Sequence, residues 1–184
     1  MVWINYKIFT KTWLQRAERG KEYIDDGDRF ISLWIAFNGW MKGKFGEAVK
    51  DSTLVKRVKE SGEIQQKFED MKNNERFVAL LKKLSKYTVT DMRYPNDSCR
   101  SKGYGGNLAS LMDVIYQVRC NLFHGRKDVE GDQKDIELVS LSYQILLLLL
   151  KECLGSQRGA KPLLQKLPLP LSKGKGIQGI GLII

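Results

Sequence analysis

Asn107-Leu108-Ala109-Ser110-Leu111-Met112-Asp113-Val114-Ile115-Tyr116-Gln117-Val118-Arg119-Cys120-Asn121-Leu122-Phe123-His124-Gly125 is the stretch that sets the fold class. Leu108, Leu111, Met112, Ile115, Val118 and Leu122 recur at intervals of three and four, which lines one face of an α-helix. Asn107 is a capping residue type, and Gly125 is a typical stop. Beyond the acidic turn 128–132, a final long helix is expected to run to about Leu154, apolar on several sides through 145–150, as befits the centre of a bundle.

The same spacing extends toward the N-terminus. Tyr6, Phe9, Trp13 and Ala17 form one apolar set, and Phe30, Leu33, Trp34, Phe37 and Met41 form a second. Between them Asp25-Asp26-Gly27-Asp28 reads as a cap and first-turn charge rather than as a metal or catalytic carboxylate cluster. After a turn at Gly43-Lys44-Phe45-Gly46, a short helix is expected near Asp51 or Ser52. A helical region, open to interruption, follows over 63–84 with Phe68, Met71, Phe77, Leu80, Leu81 and Leu84 facing inward. Residues 86–107 contain Pro95, Asn96-Asp97-Ser98 and Gly103-Tyr104-Gly105-Gly106 and read as a long loop. No alternation of period two and no repeat is visible, so no sheet is expected. The fold class is all-α: a compact antiparallel bundle of about five to six helices. Residues 1–154 form the helical domain. Residues 155–184, with Pro162, Pro168, Pro170 and four late glycines, five basic residues and no acidic one, read as an extended or disordered tail.

The length of 184 residues fits one domain, and an apolar share of 42% fits a folded one. Cys99, Cys120 and Cys153 form no C-x-x-C pair, which indicates neither a disulfide framework nor a zinc site; reduced, cytoplasmic thiols are expected. The N-terminal residues lack the pattern of a secretory signal, and no apolar run approaches membrane-spanning length. The formal charge of +10 suits a polyanionic partner, RNA among others, without requiring one.

Arg119 is the anomaly in the stripe. It lies four positions beyond Ile115 and seven beyond Met112, where a hydrophobe belongs, and a guanidinium there needs a carboxylate, carbonyls or an anionic ligand. His124, the only histidine, is five positions on, roughly 140° around an ideal helix, so the two converge only if the helix end unwinds. Histidine exchanges protons near neutral pH, and a helix C-terminus favours its charged form. Spacing alone is met more simply by an ion pair at Arg119 and a C-terminal cap at His124. The loop 100–107 lacks the Gly-Lys-Ser/Thr ending of a phosphate-binding loop and is not read as one. A mobile connector describes it more simply than an RNA-stacking surface.

The run Val118-Arg119-Cys120-Asn121-Leu122-Phe123-His124-Gly125 resembles the signature of the HEPN superfamily, an arginine followed after four to six residues by a histidine near the end of a late helix. The early segment Trp34-Ile35-Ala36-Phe37-Asn38 and the long apolar helix after the motif extend the resemblance over residues 12–154. It implies a metal-independent endoribonuclease, commonly of toxin or defence type, needing no cofactor, in which two protomers form a homodimer and join their motifs in a shared cleft. Arg119 would stabilise the phosphate and His124 would act as general acid or base. Asn121 would orient the phosphate or His124, although many members carry their polar residue directly after the arginine, where this chain has Cys120. Arg126 and Lys127 would hold flanking phosphates, or form a solvated basic turn. A toxin branch has a tyrosine two residues after the histidine, modified by an antitoxin nucleotidyltransferase; Arg126 in that place argues against such control while leaving a partner of that type open. A non-catalytic module that binds RNA, a nucleotide or a protein is the alternative.

Overall fold

Capping chemistry fixes most of the helix boundaries. In the computed structural model, which describes residues 5–19, 25–47, 49–123 and 133–155, Asp25 accepts a hydrogen bond from the Asp28 amide at 2.8 Å and starts helix α2. Asn74 accepts from the Phe77 amide, and Asn107 from the Ser110 amide, at the starts of α5 and α6. Each supplies an acceptor to a first-turn N–H that has no partner within its helix. The acidic turn at 25–28 is thus a cap.

The helices are α1 (Tyr6–Arg19), α2 (Asp26–Phe45), α3 (Asp51–Glu60), α4 (Gly62–Met71), α5 (Glu75–Leu84), α6 (Leu108–Phe123) and α7 (Gln133–Cys153). The described residues therefore hold seven helices, more than the sequence pattern resolved. The extra breaks are backbone events: Ser61 adopts extended φ/ψ between α3 and α4, and Asn74 does so before α5. The first falls between the short helix expected near Asp51 and the region expected from residue 63, and the second is an interruption to which that region was left open. The turn expected at 43–46 is shorter than anticipated, because α2 continues through Phe45 and stops at Gly46, whose φ of 106° suits glycine.

α1 and α2 pack as a helical hairpin, with α2 also against α3, α6 and α7. Gly39 permits the close approach, since a Cβ there would fall on the Phe9 ring. α7 packs against α2, α4, α5 and α6. It buries Leu138, Leu141, Ile145, Leu146, Leu149 and Leu150, as its apolar run implied, while Leu147 and Leu148 remain half-buried. Among the described residues no helix is long and apolar enough to cross a membrane. Residues 156–184, expected as a tail, lie outside the described residues.

One sheet corrects the sequence reading. β1 (Thr88–Thr90) pairs antiparallel with β2 (Ser101–Gly103), Val89 opposite Lys102, with a 3₁₀ turn at Ser98–Arg100 before β2. Only Val89 of β1 turns fully inward, so Thr-Val-Thr is too short to register as alternation. The hairpin packs on α6.

Candidate functional site

The C-terminal half of α6 gathers side chains from three other segments. Arg119 projects between α2 and α3, and its Nη2 donates to Asp51 Oδ2 at 3.1 Å. Asp51, the first residue of α3, accepts at its other oxygen from Asn38 Nδ2 at 2.7 Å. α3 is seated by the buried Leu54, Val55 and Val58 and by an ion pair from Lys59 to Asp113 of α6 at 2.8 Å. Asp51 thus stands in the first turn of α3, between Asn38 and Arg119.

Aromatic rings wall this ion pair. The Arg119 guanidinium carbon lies 4.6 Å from the Phe123 ring centre, 5.7 Å from Trp34 and 6.0 Å from Tyr116. Trp34 and Asn38 are four residues apart on α2, so one helical face presents both. Burial, and then the Cys120 thiol, push the Tyr116 hydroxyl above its ordinary pKa, with Arg119 pulling the other way. Arg119 keeps 20% of its side-chain surface and Asp51 30%, so the pair is walled without being sealed. Arg119 Nε is nevertheless buried and has no hydrogen-bond partner. A guanidinium offers five N–H donors in a planar fork, and most of that capacity is uncommitted to Asp51.

No family model, curated protein or solved structure matches the chain. The chemistry of the cluster has to be read from its residues.

Asn121 is turned into the protein. It is 3% exposed; its Oδ1 accepts from Gln117 Nε2 at 3.0 Å and from the Met92 amide at 3.3 Å, and its Nδ2 donates to the Thr90 carbonyl at 2.9 Å. The carboxamide clamps the end of β1 to α6. It is buried rather than open to a phosphate, and the expected orienting of His124 involves a residue outside the described ones. His124, Arg126 and Lys127 lie outside the described residues; the described part of α6 ends at Phe123, the residue before His124.

The clamp brings a second charged group to this end of α6. Asp91 follows β1 and is held by Arg93, whose Nε and Nη2 reach both carboxylate oxygens at 2.6–3.1 Å. The Arg93 hydrogen bonds hold the Asp91 carboxyl down at about 2, against the burial that would raise it. Among the described residues no three His, Cys, Asp or Glu side chains cluster as metal ligands. Cys99, Cys120 and Cys153 are free thiols, and burial pushes Cys153 up to about 11, which keeps it protonated.

Asn38, Asp51 and Tyr116 were not singled out as site residues by the sequence. Trp34 and Asn38 stand in the early segment that carries the resemblance, and Asp51 read only as a helix start. Their convergence on Arg119 depends on how α2, α3 and α6 pack, which no local pattern reports.

Proposed function

We propose that the chain is a metal-independent endoribonuclease of toxin or defence type, acting through Arg119 and His124. The observation that carries this reading is Arg119: a guanidinium in an apolar stripe, held by a single bond to Asp51, walled by Trp34, Tyr116 and Phe123, with a buried and unpartnered Nε. A donor fork in a partly desolvated aromatic setting suits an oxyanion, because low local polarity strengthens each charge-assisted bond. The HEPN-like spacing to His124 supplies the proton-transfer group.

In this reading the 2′-hydroxyl attacks the adjacent phosphorus. The 2′-oxygen–phosphorus bond forms, the bond from phosphorus to the 5′-oxygen breaks, and His124 takes the 2′-proton and returns it to the departing oxygen. Arg119 stabilises the charge that accumulates on the phosphoryl oxygens. Asp51, braced by Asn38, positions Arg119. The products are a 2′,3′-cyclic phosphate and a 5′-hydroxyl. A homodimer that joins two such motifs, and control by an antitoxin or nucleotidyltransferase-type partner, follow from the resemblance alone.

The test is product chemistry. RNA incubated with the purified chain should end in cyclic phosphate, and a single 2′-deoxy substitution at the cleaved position should block scission there. A 5′-phosphate product, or cleavage of the deoxy substrate, would exclude this mechanism.

The bond from Arg119 to Asp51 favours a second reading, in which Arg119 is a structural ion pair in a non-catalytic module. That reading assigns the guanidinium to fold stability, and it predicts RNA binding without turnover.

A further inference from the structure

Net charge is unevenly distributed along the chain. Residues 76–106 carry seven basic side chains against two acidic ones, and residues 155–184 carry five against none, while the remainder holds nineteen of each sign. Outside the terminal segment, the whole positive excess of the protein therefore lies in α5 after its first residue, the β1–β2 hairpin and the residues leading to α6. Lys82, Lys83 and Lys86 are exposed around the base of the hairpin, and Lys102 on β2. Both acids in the segment are engaged: Asp91 by Arg93, and Asp97 by Arg100 at 3.0 Å.

An aromatic ring stands among these cations. Tyr94 remains 47% exposed, a high value for a large ring. The Arg100 guanidinium carbon stacks 3.8 Å from its centre, and that of Arg93 lies 6.0 Å away. Arg100 is paired with Asp97 and Arg93 with Asp91, so the ring is lined by paired guanidinium groups and keeps nearly half of its surface exposed. Exposed rings set among cations hold unpaired nucleobases by stacking while the cations follow the backbone; a duplex keeps its bases stacked internally and offers no such face. Asn121 ties this hairpin to α6 two residues beyond Arg119, through Thr90 and Met92.

We infer that the β1–β2 hairpin and the end of α5 form a docking arm for single-stranded RNA, with an unpaired base stacked on Tyr94 and the backbone held by the cations around it. The choice of RNA rests on the ribonuclease reading; the requirement for an unpaired base rests on Tyr94 and its arginines. The arm selects strand state rather than sequence, because every base has a face to stack.

The experiment separates binding from cleavage. Fluorescence anisotropy of the full chain is measured with a labelled, uncleavable 2′-O-methyl RNA, single-stranded and annealed to its complement. Tyr94→Ala should weaken single-strand binding by about 5- to 100-fold, the range for loss of one base stack, and leave duplex binding unchanged. Tyr94→Phe should bind like the unaltered chain, and far-ultraviolet circular dichroism should show each variant with full helix content. Lys82→Gln combined with Lys83→Gln should reduce the salt dependence of binding by about 0.7 in log–log slope for each lost phosphate contact. Equal affinity of Tyr94→Ala and the unaltered chain, an equal loss on duplex, or no single-strand binding by the unaltered chain would overturn the inference. Tyr94-dependent binding without cleavage of ordinary RNA would refute the ribonuclease reading and leave the arm standing. Cleavage with Tyr94-independent binding would do the reverse.

Discussion

Replacing Arg119 by methionine separates a functional guanidinium from a structural one. The substitution removes one charge-assisted bond to Asp51, which at 20% and 30% exposure is worth about 1 kcal/mol after screening. It also removes ring contacts at 4.6–6.0 Å, about 0.5–1 kcal/mol for the closest. Against these stands relief of the buried, unpartnered Nε, on the order of 1–3 kcal/mol. Methionine keeps an unbranched, polarisable stem against Trp34, Tyr116 and Phe123, and Asp51 retains its bond from Asn38. The net change is within about 1.5 kcal/mol of zero, a shift in Tm under roughly 6 °C for a domain of this size. RNA cleavage should meanwhile fall by about 100- to 1000-fold, as for loss of a donor to a developing oxyanion. Urea denaturation followed at 222 nm, beside a cleavage assay, measures both. Destabilisation beyond about 3 kcal/mol would refute the reasoning and make Arg119 a structural lock.

Asp51→Asn should lower the cleavage rate by about 10- to 100-fold through misplacement of Arg119, with RNA affinity in the binding assay little changed. Asn121→Ala should cost about 1–3 kcal/mol in urea denaturation, because it removes the acceptor of the buried Gln117 amide and the donor to the Thr90 carbonyl; amide hydrogen exchange should rise first at 88–92. Asp91 has its folded pKa lowered from 3.8 to about 2, so its stabilising effect is complete above the unfolded value and is lost as pH falls from about 4 toward 2. With Arg93 55% exposed, the screened contribution is on the order of 1 kcal/mol. An Asp91→Asn chain should show a correspondingly flatter stability profile in that window.

The helices were legible because burial imposes periodicity. The acidic turn at 25–28 could be read as a cap, and the apolar run at 145–150 as the centre of α7, from composition and spacing alone. The hairpin was hidden because one inward residue, Val89, cannot establish an alternation. Arg119 stood out because its position conflicted with its stripe, and that local conflict survives into the structure as a partly exposed ion pair. Its partner Asp51 was invisible as such: 68 residues away, it is brought in by packing of α3 on α6. Asn121 misled for a related reason. A polar residue near a motif looks chemical in sequence, whereas the fold turns it inward to hold Thr90 and Met92.

The central claim is that His124 and Arg119 cleave RNA without a metal ion. The direct measurement is cleavage of RNA by the purified chain in excess EDTA, with His124→Ala alongside. Cleavage that persists in EDTA and disappears in His124→Ala is the predicted result. Cleavage that requires an added divalent ion, or a His124→Ala chain as active as the original, would contradict it.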